Sequence, residues 1–223
     1  MKPVHRRRLN FLLGFGAYFV ALWYFWYTPV VYPLKIFVVL LHEVSHALAL
    51  LATGGAVDHI VLDPAQGGAT YGRGGLPFVT LSAGYLGSLV LGALLVVGAQ
   101  ARRVRSGLLL SLVGGAVLAL TAVYIRNAFG FVFGLAFGAT LVWAGRQAPA
   151  TWSTRLLMAL GFTSCLYAVL DIKSDILDRP HLRSDAAMLA EMTGVPTVFW
   201  GIVWITAAVV ACTLLLRRAW HRT

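Results

Sequence analysis

His42, Glu43 and His46 stand in the order His-Glu-Val-Ser-His within an apolar stretch, in a chain whose 223 residues include only two glutamates. Ionisable side chains at the centre of a bilayer cost roughly 2.5 to 3.5 kcal/mol each on insertion scales, so three together need a compensating partner. A divalent cation is the natural one. Histidines four residues apart project from one face of an α-helix and can share a Zn²⁺, while the glutamate between them can act as general base toward water. The chemistry this pattern offers is metal-assisted hydrolysis.

A catalytic zinc takes three protein ligands and keeps one position open, so a further donor must come from elsewhere in the chain. His59 is near in sequence, but its neighbours alternate apolar and polar like a strand, which turns it toward solvent. His5, His181 and His221 belong to terminal or interfacial basic segments. The aspartates that follow the sixth apolar stretch, Asp171, Asp175 and Asp185 among them, are better placed to return to the site. Asp171 and Asp175, four apart, would share a face of any continuing helix. A purely structural reading stays open, with Glu43 paired to an arginine and the histidines to hydroxyls.

The elements that must carry these residues follow from hydropathy. Hydrophobic residues make up 59% of the chain and charged residues 12%, and the apolar runs approach the roughly 20 residues needed to cross a bilayer. Seven candidate spans can be read at 9–27, 34–52, 76–99, 108–125, 128–145, 156–170 and 198–216. The expectation is an all-α, polytopic transmembrane bundle of about six or seven spans, with residues 1–223 forming a single integral membrane domain. The first span ends in Trp23, Tyr24, Trp26 and Tyr27, an interfacial aromatic belt on an uncleaved anchor. Cys165 and Cys212 lie inside apolar spans without Cys-x-x-Cys spacing and read as small core residues.

The net charge of +10 comes from short basic clusters at span ends, which suits lipid headgroups and argues against nucleic acid as a partner. Seven strict crossings divide the 18 basic residues nine and nine, whereas a re-entrant third stretch would divide them 13 and five. Orientation is therefore open at this level.

Between the spans, Thr53, Gly54 and Gly55 end the His-Glu helix. Residues 57–62 alternate, Asp63-Pro64 and Gly67-Gly68 mark a turn, and residues 69–71 return, so a short β-hairpin or a flexible glycine connector follows that helix. Ser82, Ala83, Gly84, Gly87 and Ser88 put small residues on the third stretch, where another helix can approach closely. Arg126 and Asn127 form a tight connection. Ser184 reads as an N-cap with Asp185 in the first turn, and Gly194 with Pro196 ends that short helix. Its Met188, Leu189 and Met192 are expected to face apolar neighbours.

The chain resembles the site-2 protease family of intramembrane zinc metallopeptidases, in particular its small B-like branch. The likeness rests on His42-Glu43-Val44-Ser45-His46 with Thr53-Gly54-Gly55, on Gly67-Gly68-Ala69-Thr70, on Ser82-Ala83-Gly84-Tyr85-Leu86-Gly87, and on Ser184-Asp185-Ala186 followed by Thr193-Gly194-Val195-Pro196 and Trp200. The resemblance implies a zinc ligand set of His42, His46 and a later carboxylate, with Glu43 catalytic. The family commonly supplies that carboxylate from Leu-Asp-Gly, which this chain lacks. Asp185 in Ser-Asp-Ala is the favoured counterpart, with Asp171 and Asp175 behind it.

The resemblance also implies membrane-anchored protein substrates, presented as extended strands to the hairpin edge, and a prokaryotic cell membrane as the location. Two alternatives stand beside proteolysis. One is a catalytically inactive scaffold of the same fold that binds a partner, and the other is metal-dependent hydrolysis of a lipid or small amphiphile. Substrate identity and oligomeric state are not read from the sequence.

Overall fold

A computed structural model describes residues 3–26, 28–173 and 184–222. Eight helices and one two-stranded antiparallel sheet occur among them. In chain order they are α1 (Pro3–Tyr24), α2 (Tyr32–Ala52), β1 (Ala56–Asp63), β2 (Gly67–Arg73), α3 (Pro77–Ala99), α4 (Ser106–Tyr124), α5 (Ala128–Gln147), α6 (Ala150–Lys173), α7 (Asp185–Thr193) and α8 (Thr197–Arg222). The protein is an integral membrane helix bundle. Five helices, α2, α3, α4, α5 and α8, are long and apolar enough to cross a bilayer.

The two remaining expected spans correspond to α1 and α6. Both are long helices.

The His-Glu helix is the central one. Of its apolar window 67% is buried, against 22–33% in the other four spans, whose outward faces are left for lipid. Ile36, Phe37 and Leu40 of α2 belong to one core with Leu110 and Val117 of α4, Leu141 of α5 and Leu157 of α6. Close backbone approach builds much of the remainder: Gly114 packs on Gly138 between α4 and α5, and Gly92 on Gly161 between α3 and α6. Small residues permit such contacts, and dispersion at short range then holds helices together where lipid removes the hydrophobic drive.

Ring contacts fix the directions of the helices. Phe78 meets Trp200 at 5.6 Å and Tyr85 meets Trp204 at 4.9 Å, so α3 and α8 run parallel. The Tyr18 hydroxyl donates to the Ala159 carbonyl at 3.1 Å, and Trp26 packs on Tyr167 at 5.6 Å, so α1 runs alongside α6 in the same direction.

The expected hairpin is present, with its turn one step earlier than the glycines suggested. Gly67 and Gly68 already pair with Asp63 and Leu62. The reversal falls on residues 64–66 instead: Gln66 takes φ +70, the Ala65 N–H donates to Asp63 Oδ1, and the Gln66 N–H to the Asp63 carbonyl. An Asx turn with one left-handed residue suffices, so neither glycine is needed there.

Asn127 is a structural clasp. Its side-chain amide mimics a strand, accepting from the Leu62 N–H at 3.1 Å and donating to the Leu62 carbonyl at 2.7 Å. Ile125 bridges to Ile60 beside it. The outer edge of β1 is thereby closed by the α4–α5 turn.

Candidate metal centre

The α-helical repeat brings His42 and His46 to one face of α2, with ring centroids 4.7 Å apart. His46 Nδ1 lies 2.7 Å from the Thr80 carbonyl oxygen in the first turn of α3. A carbonyl only accepts, so Nδ1 carries the proton and Nε2 presents its lone pair. Tyr85, one turn further along α3, sets its ring edge-on to His42 at 4.7 Å.

The third donor arrives on α7. Ser184 caps this helix by accepting from the Ala187 N–H at 3.3 Å, and Gly194 ends it in the left-handed conformation at φ +73. Ala186 and Leu189 are fully buried against Tyr85, Ile172 and Trp204, which docks the first turn of α7 on the bundle. Asp185 then points its Oδ2 to 3.1 Å from His42 Nε2 and 3.2 Å from His46 Nε2. Burial opposes its ionised form, and the positive end of α7 favours it.

This arrangement fits a cation. Asp185 Oδ2 is buried and accepts no hydrogen bond, while a neutral imidazole aims a lone pair at it. Such acceptors repel unless something positive lies among them. The three donor atoms sit within 4.8 Å of one another. Around a tetrahedral ion with bonds of about 2.0–2.1 Å, donors stand roughly 3.3 Å apart, close to the two separations found here.

Gly84 supplies the space. A Cβ at this position would lie 2.4 Å from His42 Nε2 and 2.6 Å from His46 Nε2, directly where the donors converge.

Glu43 is buried beside this group. The Thr70 hydroxyl of β2 lies 2.8 Å from its Oε2 and 2.9 Å from its backbone carbonyl. Gly68 lies so close that a Cβ there would come 2.7 Å from Oε1. The cluster and Glu43 line a cavity of about 520 Å³, whose walls include Thr70, Gln66, Tyr85 and Met188.

The structure therefore brings together His42, His46 and Asp185, with Glu43 in the same cavity. Asp175 and His181 lie outside the described residues, and of Asp171 only the backbone is described. His59 stacks on Tyr71 at 4.5 Å on the hairpin and takes no part in the cluster. Met192, expected among apolar neighbours, is 46% exposed: burial is confined to the first turns of α7, and residues 191–194 at its end are all exposed.

Thr80 and Thr70 went unnoticed as individual residues in the sequence. Thr80 precedes Gly84 by four, so their shared helix face was a signal available once Gly84 was suspected of facing the histidines.

Apolar helices packed around a buried cluster of two histidines and a carboxylate define a protein with an intramembrane metalloprotease-like fold. The chain belongs to the Peptidase M50B-like family, whose model matches residues 15–215, and so to the site-2 proteases. Searches of curated proteins and of solved structures found no match.

Proposed function

We propose that the protein is an intramembrane zinc metalloprotease hydrolysing peptide bonds in or beside the membrane spans of anchored proteins. One observation carries this reading: His42, His46 and Asp185 aim three donor atoms at one point, and Glu43 shares their cavity. His42, His46 and Asp185 would hold the ion. Zinc bound there supplies a Lewis acid that polarises the scissile carbonyl and eases deprotonation of water.

Glu43 takes the proton of the attacking water on its carboxylate and returns it to the leaving amine nitrogen. Thr70 holds that carboxylate in place, since it donates to both of the Glu43 acceptors. Thr80 fixes the tautomer of His46 through its backbone carbonyl. The substrate would enter as an extended strand. Because β1 is paired on both sides, the edge available to it is that of β2, the strand that touches Glu43.

The test compares the purified protein with Glu43→Gln for bound zinc and for cleavage of a membrane-anchored reporter. The variant is expected to keep stoichiometric zinc and to lose cleavage by about 10²–10⁴-fold, the range for a general base. Undiminished cleavage by the variant would refute the role of Glu43.

A further inference from the structure

Among the described residues, five take a left-handed backbone, and four of them are glycines: Gly54, Gly74, Gly75 and Gly194. The fifth is Gln66, at φ +70. Glycine enters this region at no steric cost, whereas a residue with a side chain is uncommon there. Two glycines stand immediately beyond Gln66, at 67 and 68, and neither uses that freedom, because both already pair within β2. The turn thus keeps a long side chain at the one position whose backbone favours none, and such an exception points to what the side chain does.

Gln66 lies half-buried in the wall of the cavity that His42, Glu43, His46 and Asp185 also line. Its backbone N–H is already committed to the Asp63 carbonyl, and the Ala65 N–H to Asp63 Oδ1. The carboxamide makes no hydrogen bond among the described residues. It offers donors and an acceptor to whatever enters the cavity.

Position says which ligand suits it. Ile60 and Leu62 turn their carbonyls away from β2, toward the Arg126 N–H and the Asn127 amide. In an antiparallel pair such residues alternate with those that bond across, so Val61 and Asp63 carry the bonds to β2 through their partners Ala69 and Gly67. Gly68 and Thr70 are left with N–H and carbonyl facing outward, on the free edge. A strand bonded to that edge and continuing past Gly67 runs alongside residue 66, whose own N–H has turned back to Asp63. There the carboxamide prolongs the edge by a donor and an acceptor, as the Asn127 amide does for Leu62 on β1.

We propose that the Gln66 carboxamide is a substrate-binding group, pairing with one peptide unit of the extended substrate where it leaves the β2 edge within the metal cavity. The inference rests on the protease reading and sharpens its substrate class. A peptide unit matches the carboxamide with both an N–H and a carbonyl, whereas a lipid ester offers acceptors alone.

The test uses Gln66→Gly, which removes the side chain and relieves the left-handed backbone, and Gln66→Met, which keeps the length without the hydrogen bonds. Both are made in the full active chain and, for binding, in Glu43→Gln, with a fluorescent membrane-anchored reporter peptide as probe. Both variants should keep zinc, and Gln66→Gly should keep or raise the thermal midpoint. Each should weaken reporter binding in the Glu43→Gln background about tenfold, the worth of one or two neutral hydrogen bonds. In the active chain KM should rise by a similar factor with kcat nearly unchanged, the signature of binding shared by ground and transition states. An unchanged Kd in both variants overturns the role of Gln66 and leaves the protease reading standing. A native chain that neither binds nor cleaves the reporter overturns that reading, and this inference with it.

Discussion

A single methyl group probes the metal centre more sharply than removing a ligand does. In Gly84→Ala the new Cβ would stand 2.4 Å from one imidazole nitrogen and 2.6 Å from the other, within the space the ion needs. The prediction is a protein that folds and remains helical but binds little zinc, measured by metal analysis and circular dichroism. Gly115→Ala is the control, since a Cβ there meets nothing within 4 Å, and it should keep full zinc. Thr80→Ala should also keep full zinc, because it is the backbone carbonyl of Thr80, not its hydroxyl, that orients His46.

At the level of elements, the hairpin depends on a neighbour distant in sequence. Removing the Asn127 amide leaves the N–H and the carbonyl of Leu62 without their partners, and Leu62 is fully buried. An orphaned buried group costs about 1–3 kcal/mol, so Asn127→Ala should lower the thermal midpoint in detergent and loosen the hairpin.

This clasp marks where sequence reading stops. Hydropathy located the helices, and the caps of α7 were legible, because both signals are local: apolar runs, Ser184 before Asp185, Gly194 after the last turn. The His-Glu-x-x-His face was legible for the same reason. Asp185 could be named only through family likeness, since its approach to the histidines depends on how α7 docks. Thr70 and Thr80 were not singled out, because what they do depends on which neighbours the fold brings to them. Gly67 and Gly68 misled, because a glycine pair signals a turn even when, as at Gly68, what excludes a side chain is a neighbouring carboxylate.

For the whole molecule, an ion bound by α2 and α7 would tie distant parts of the chain together. Binding to the folded state alone stabilises it by about 4 kcal/mol at a thousandfold excess over Kd, or roughly 10 °C for a chain of this size. Chelation should therefore lower the thermal midpoint of the native chain and of Glu43→Gln alike, and leave Asp185→Asn unchanged, as differential scanning fluorimetry would show. Charge distribution is likewise a property of the whole. Strict alternation of seven spans split the basic residues evenly, whereas the helix directions gather 11 of them, among the described residues, at one end; hydropathy measures greasiness along the chain and carries no record of which way a helix runs.

One proton, that of the Thr70 hydroxyl, is shared between the carboxylate and the carbonyl of Glu43, and the strand that lends it is also the one open to visitors. A polypeptide gripping that strand would tug on the base itself. Such a linkage would make the position of the carboxylate answer to whatever pulls on that edge.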